Sequence, residues 1–519
     1  MPPTSVSTVA DTARLVEALR ARLQSASGRE VRVFETHISW VLLDGTHAWK
    51  LKKPVRLGFL DFADLSTRRH FCDEELRLNR RLAPQLYLDV VPIGGSIDAP
   101  RLGGDGDDDA IEFAVKMREF APGALFSERL AAQALAPAHL EQLAQRLAAF
   151  HDAAPVSAAN VAYGSAERIE ADTAQVLDGL APMVGEASIA ELRERLGAQA
   201  RALLATFERR RAAGRVREGH GDLHLANAVV LGDDVTAFDC IEFDPGLRWI
   251  DVASDIAFLA MDLLAHGRQD LAYRFLDAWL AASGDHDALA VLRYYMAYRA
   301  LVRALVARIR AGQGGVAAGP DYLALARRLS QERDPRLLIT HGLSGSGKSW
   351  VSQRLLERAG AIRLRSDVER KRLFGLRALA DASAGPGEGI YANDVSRRTY
   401  EHLLALAGIA LDAGFPTIVD ATFLRAHERD AFRGIAQARG LPFAILHCRA
   451  EPALLRQRVA ARQAGRADAS DAGLAVLERQ LAAHDTLRDD ERALAIEIDT
   501  GVALDADALA SRWRGVAGR

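Results

Sequence analysis

Cysteine is scarce, long apolar runs are missing, and neither sign of charge dominates. Only three cysteines occur in 519 residues, Cys72, Cys240 and Cys448, with no CxxC spacing. That scatter argues against a disulfide framework or a zinc site and points to a reducing compartment. No apolar stretch reaches the roughly 18 residues that span a bilayer. The start, MPPTSVSTVADTARL, has no charged segment leading into an apolar core, so no signal peptide is expected. A net charge of −3 gives no strong pull towards nucleic acid or an anionic membrane, though a local basic site for phosphates remains compatible with it. The expectation is a cytoplasmic protein without nucleic-acid or membrane partners. What is present, 49% hydrophobic and 26% charged residues, describes an ordinary globular chain. Its length suits about three ordinary domains.

The first 120 residues alternate between helix and strand signals. Leu15, Leu19 and Leu23 have helical spacing over 8–25. Residues 38–43 and 47–52 flank Asp44-Gly45, a hairpin signal. The second strand, HAWKLK, presents Lys50 and Lys52 on one face because side chains alternate with period two. A hairpin carrying Ala-x-Lys is how a kinase N-lobe delivers a lysine to phosphates, so Lys50 is favoured, Lys52 stays an alternative, and Lys53 is read as solvated. No GxGxxG precedes it. Residues 66–82 read as a helix capped by Ser66, in which Glu74 and Glu75 are candidates for the lysine's partner; Glu75 is taken as the nucleotide-site residue. Residues 112–118 alternate as a last strand before Ala121-Pro122-Gly123, a hinge. The Gly- and Asp-rich loop from Asp98 to Asp109 lacks the spacing of a calcium loop and is assigned no function.

Further on, His220-Gly221-Asp222-Leu223-His224-Leu225-Ala226-Asn227 precedes a short apolar strand reaching Asp239. This resembles the aminoglycoside phosphotransferase family, whose loop reads HGDxHxxN where protein kinases have HRDxxxxN. The resemblance implies that Asp222 is the catalytic base and that Asn227 and Asp239 hold metal. It also implies a two-lobed, α+β protein-kinase-like domain, with an N-lobe over 1–120 and a helical C-lobe over 121–332. His151, ending LAAFHD, is read as structural. Residues 249–257 are expected to begin a helix, from which Asp251 or Asp255 anchors the loop. The aromatic stripe Tyr294, Tyr295 and Tyr298 is read as core. Ala311 to Pro320 is a Gly/Ala-rich loop.

A second chemistry starts at about residue 336. The strand Leu337–Thr340 leads into Gly342-Leu343-Ser344-Gly345-Ser346-Gly347-Lys348-Ser349 and a helix, the context a GxxxxGK[ST] loop requires. Gly342, Ser344, Gly345, Ser346 and Gly347 turn backbone N–H groups onto phosphate oxygens. Lys348 reaches the β/γ-phosphates, and Ser349 holds Mg²⁺. Asp367, after the next strand, is placed to take an acceptor proton, with Arg370 or Arg372 nearby; the alternative reading is a helix cap. Asp420 ends another strand and is a Walker-B-like candidate for Mg²⁺. Arg456, Arg458, Arg462 and Arg466 suggest a lid, with Arg458 and Arg462 favoured. Strands alternating with helices over 336–519 predict an α/β domain with a parallel, doubly wound sheet. This half resembles the polynucleotide-kinase/zeta-toxin/gluconate-kinase group. Together the halves resemble a bacterial family described as bifunctional aminoglycoside phosphotransferase/ATP-binding protein.

The resemblance implies an ATP-dependent phosphotransferase with two Mg-ATP sites acting on hydroxyls of a small metabolite, a sugar, polyol or nucleoside. Two alternatives remain: one domain is a nucleotide-binding regulatory module, or the enzyme modifies aminoglycosides. For the last, the acidic cleft a polycation needs is not obvious among the mixed Glu and Arg of the C-lobe helices.

Overall fold

Alternation along His47–Lys52 organises the first architecture. Trp49 and Leu51 share a face and pack with Leu42, Ile93 and three residues, Leu15, Val16 and Leu19, of the helix Val9–Ser27. Fully burying one of these leucines contributes about 2 kcal/mol. The helix Leu65–Asn79 covers the other face, where its Cys72 joins Leu86, Phe113 and Val115. Lys50 and Lys52 therefore point towards that helix. The hairpin forms as expected: Ser39–Leu43 pairs antiparallel with His47–Lys52. Asp44 accepts N–H bonds from Thr46 (2.9 Å) and His47 (2.7 Å) while Gly45 takes a φ of 88°. Six strands make this sheet, in the order Arg32–Glu35, Ser39–Leu43, His47–Lys52, Glu112–Arg118, Tyr87–Ser96, Ala99–Leu102.

This computed structural model describes residues 6–57, 60–103, 109–312, 319–376, 393–465 and 472–518. Most of the Asp-rich loop near Asp105, the Gly/Ala-rich loop after Gly312, and Arg466 lie outside the described residues. By packing, the chain divides into two units: Met1–Arg146 with Phe150–Gly164 and Arg211–Asp255, and Leu147–Ala149 with Ser165–Arg210 and Ile256–Arg519.

Three local expectations are corrected. The helix expected to be capped by Ser66 begins at Leu65 with Asp64 at its cap position, because Arg68 N–H already bonds the Asp64 carbonyl at 3.0 Å. The helix expected from Trp249 begins at Val252. Trp249–Asp251 is instead a short strand paired with Val216–Glu218, and the Asp251 carboxylate accepts the Ala253 N–H at 2.9 Å. Lys53 is buried rather than solvated, bonded to Glu35 (2.5 Å) and to the Thr36 carbonyl (2.6 Å).

The second unit holds the helices Gln269–Ser283, Leu289–Gly312 and Tyr322–Gln331. Tyr294 and Tyr295 lie in their core, with Phe207 ring centroids 5.5 and 5.8 Å away. It also holds a five-stranded, wholly parallel sheet ordered Ile362–Arg365, Pro416–Asp420, Arg336–His341, Phe443–Arg449, Ala495–Asp499. Its three inner strands carry mainly apolar, buried residues, as strands covered on both faces require, while the edge strands Ile362–Arg365 and Ala495–Asp499 carry charges. The chain is thus a kinase-like α+β fold followed by an α/β P-loop domain.

Candidate active sites

The first site gathers on Glu75. The helix Leu65–Asn79 turns this carboxylate, fully buried, onto both lysines: Oε1 lies 2.8 Å from Lys50 Nζ and Oε2 lies 2.7 Å from Lys52 Nζ. Glu74, next along, faces away to Arg77 (2.9 Å) and Arg248 (3.5 Å). Lys50 also reaches Asp239 Oδ1 at 2.7 Å, whereas Lys52 turns to Glu242. Burial opposes the Lys50 charge, but the carboxylates of Asp239, Glu75 and Glu242 outweigh it and hold the ammonium well above its ordinary value. Burial likewise raises Glu75, and the two lysines overcome it, leaving that carboxyl below its usual range.

Asp239 sits in left-handed backbone (φ 64°), a conformation rare without glycine. Its N–H donates to Tyr87 Oη at 3.2 Å, and the next N–H, of Cys240, donates to Asn79 Oδ1 at 2.9 Å. Asn79 Nδ2 in turn donates to the Glu75 carbonyl at 2.9 Å, so one side chain ties the Asp239 turn to the helix bearing Glu75.

The loop 220–227 is held by its neighbours. His220 Nε2 lies 2.8 Å from the Phe238 carbonyl and Nδ1 accepts the Asp222 N–H at 3.3 Å, which fixes a neutral ring protonated at Nε2. Burial keeps that ring's pKa low. Asn227 Nδ2 donates to the Asp222 carbonyl (3.0 Å) and carboxylate (3.2 Å). Of the two anchor candidates, Asp255 bonds the loop. It accepts N–H bonds from His220 (2.7 Å) and Gly221 (2.9 Å), and His151 Nε2 stands 3.2 Å away. Asp251 serves its own helix start. Sequence reading left His151 without this partner and overlooked Glu242 and Tyr87. Glu242 had a detectable signal, as a carboxylate three residues past Asp239.

In the second unit, Gly342, Gly345 and Gly347 have φ of 147°, 80° and 81°. A Cβ on Gly342 would stand 2.5 Å from the Cys448 carbonyl oxygen, and one on Gly345 2.7 Å from that of Leu455, so the loop needs glycine for close approach as well as for φ. Lys348 Nζ donates back to the Leu343 carbonyl at 2.8 Å. Burial lowers its pKa while Asp420, Cys448 and Asp367 raise it, so both acidic candidates lie within electrostatic reach of Lys348. Asp420 is buried and accepts a bond from Ser352 Oγ at 3.2 Å. Asp367 occupies the first turn of Ser366–Leu373, one position past the start rather than at the cap. The Ser344 N–H donates to Gln480 Oε1 at 2.8 Å. Arg458 spends its guanidinium on Thr500 (Oγ1 and carbonyl, each 2.7 Å) and on the Gly345 carbonyl (3.4 Å); Arg462 spends its own on the Ala472 carbonyl (2.6 Å). Arg458 thus braces backbone of the loop itself, while Arg462 ties its own helix to the chain at Ala472. Among the described residues no group of three or more His, Cys, Asp or Glu could hold a metal; the donor pairs here are hard oxygens, the set that suits Mg²⁺ shared with phosphates.

His341, ending its strand, is 3% exposed, with no hydrogen-bond partner for either ring nitrogen. It lines a cavity of about 180 Å³ with Gly342, Ser346, His447 and His484. Burial, helped by His447, Arg429 and Lys348, pushes its pKa down to about 3. Unfolded, this imidazole binds a proton below about 6.5; folded, it resists to about 3. Stability is therefore present above that window and lost as pH falls through it, by about 1.4 kcal/mol per pH unit. Urea midpoints at pH 5 and 7.5 should converge in His341→Gln; an undiminished pH slope would refute this.

Similarity to known proteins follows the same division. A family described as "Phosphotransferase enzyme family" matches residues 26–295, and one described as "AAA domain" matches 337–487. An uncharacterized protein of Mycobacterium tuberculosis (strain ATCC 25618 / H37Rv) is 30% identical over 464 residues, 88% of this chain and 91% of the relative. Among solved structures, a choline/ethanolamine kinase family protein from Mesorhizobium loti is 13% identical, covering 61% of this chain and 92% of its own, at a TM-score of 0.37. A gluconokinase from Sinorhizobium meliloti 1021 is 23% identical, covering 35% and 91%, at 0.24. With the 220–227 loop inside the first match and its P-loop inside the second, this chain belongs to the phosphotransferase enzyme family and carries a P-loop domain behind that fold.

Proposed function

We propose that the protein has two Mg-ATP sites, one in residues 1–332 and one in 336–519, each moving a γ-phosphoryl group to a hydroxyl of a small metabolite such as a sugar, polyol or nucleoside. The convergence of Lys50, Glu75 and Asp239 carries this reading: a buried carboxylate holds one lysine against a metal-type aspartate, as nucleotide phosphates would need. Asn227 and Asp239 in the first site, and Ser349 and Asp420 in the second, offer the oxygen donors for Mg²⁺, which when bound neutralises phosphate charge.

In the first half Lys50 orients the α/β-phosphates and Asp222 accepts the acceptor's hydroxyl proton. A new O–P bond forms as the bond between the β–γ bridging oxygen and the γ-phosphorus breaks, and ADP leaves with the electron pair. In the second half the N–H groups of the 342–349 loop cradle phosphate, Lys348 spans the β/γ-phosphates, and Asp367 takes the proton. Arg458 supports the cradle through Gly345 and Thr500, and Arg462 holds the chain at Ala472.

The test is incubation with Mg-ATP and a pooled panel of sugars, polyols, nucleosides, inositols and aminoglycosides, scored by phosphate mass. At least one phosphorylated alcohol is expected. Lys348→Ala should abolish any product of the second half and spare that of the first. ATP binding without any product would replace this reading with that of a nucleotide-binding regulator.

A further inference from the structure

Arg363 lies on the edge strand Ile362–Arg365, yet is 7% exposed. A cation buried to that extent requires a partner. Asp277, on the helix Gln269–Ser283, meets it with both oxygens, Oδ2 accepting from Nη2 at 2.6 Å and Oδ1 from Nε at 3.2 Å. Asp277 falls within the phosphotransferase-family match and Arg363 within the P-loop match, so the pair joins the two families' segments inside one compact unit.

The other prong of the guanidinium points at the phosphate loop. Arg363 Nη1 donates to the Ser349 carbonyl (3.1 Å) and to Ser352 Oγ (3.4 Å). Ser352 is fully buried, and its Oγ lies 3.2 Å from both the Ser349 carbonyl and Asp420 Oδ2, two acceptors for one hydroxyl proton. With Arg363 donating into a lone pair of that hydroxyl, the proton is directed at one of these two acceptors. A chain of bonds therefore runs from Asp277 through Arg363 and Ser352 to Ser349 and Asp420, the two residues assigned to Mg²⁺.

We propose that Asp277 is a positioning residue of the P-loop site: by fixing the Arg363 fork it sets the first turn of the P-loop helix and the Asp420 carboxylate for Mg-nucleotide binding. This rests on reading 336–519 as a Mg-ATP site. The phosphotransferase segment then contributes to the second site as well as to its own.

The test uses the full chain in an Asp239→Asn background, with binding of a fluorescent ATP analogue followed as Mg²⁺ is titrated. Lys348→Ala identifies the P-loop signal. Asp277→Asn should raise the Mg²⁺ needed for half-saturation about tenfold, the low end of what losing an outer-shell partner does to metal affinity. Asp277→Glu should recover part of that loss. Adding Ser352→Ala to Asp277→Asn should shift it less than the two single effects combined, as members of one network do. A lowered melting temperature with an unchanged Mg²⁺ requirement would overturn the proposal. If Asp277→Asn does not fold, Arg363→Lys keeps an ion pair for Asp277 but loses the fork to Ser349 and Ser352, and should give the same Mg²⁺ shift; an unchanged requirement there overturns it too. No Lys348-dependent binding in the otherwise unsubstituted chain would instead defeat the two-site reading itself, and this inference with it.

Discussion

Asp222→Asn should bind Mg-ATP nearly as the unsubstituted protein does and yet lose about 10³-fold in the first half's phosphoryl transfer. The substitution keeps the size of the side chain. It also keeps the backbone carbonyl that Asn227 Nδ2 grips at 3.0 Å, so the loop should hold its path. The lost group is the carboxylate acceptor for the substrate proton, and removing a positioned general base typically costs about 10²–10⁴-fold. Lys50, Glu75 and Asp239, which would meet the nucleotide, form their own ion-paired set and do not depend on Asp222. The expected signature is thus an unchanged nucleotide dissociation constant, an unchanged melting temperature and a collapsed turnover. Weaker ATP binding matching the loss in turnover would reassign Asp222 to the nucleotide.

The order and type of most elements were legible because each half speaks in local code. Period-two alternation in HAWKLK names the two inward lysines, and a glycine loop between an apolar strand and a helix has few other uses. What stayed illegible depended on residues distant in sequence. Nothing near Lys50 or Lys52 says which lysine meets Asp239; the choice follows from Glu75 lying beneath both and from Glu242, 190 residues after Lys52, taking the second. His151 reads locally as a helix-end histidine, and its partner Asp255 lies 104 residues further along the chain. Likewise nothing in the local run of arginines says that Arg458 meets Thr500 or that Arg462 meets the Ala472 carbonyl. Trp249–Asp251 carried helix-compatible residues and became strand because Val216–Glu218 was there to pair with it. Sequence pattern specifies which face a residue occupies; which partner it finds there is a tertiary outcome.

That dependence on distant partners is strongest at Asp255, where Asp255→Ala should cost about 3–5 kcal/mol and silence the first site. The carboxylate is fully buried and takes the His220 and Gly221 N–H groups at 2.7 and 2.9 Å. Deleting it strands two buried donors, each worth about 1–3 kcal/mol unsatisfied, and leaves His151 without its carboxylate. The space is fitted to it: a Cβ on Gly219 would stand 2.5 Å from Asp255 Oδ2, so Gly219→Ala should do similar damage from the other side. Burial works to raise the Asp255 pKa, but the His151 ring beside it and the His220 backbone N–H bonded to it hold it well below the carboxylate range. A carboxylate depressed in the folded state stabilises above its unfolded pKa of about 3.9 and loses that contribution as pH falls below it. Urea unfolding should therefore show the variant deficit in full at pH 7 and a smaller one near pH 3. Asp255→Asn, keeping one acceptor oxygen, should fall between. The catalytic consequence separates from the structural one at low temperature, where the folded variant should still bind ATP through Lys50 and Asp239 but transfer phosphate poorly, because the Asp222 loop has lost its tether. A deficit independent of pH, or full transfer by the folded variant, would make Asp255 one more core carboxylate with no hold on the loop.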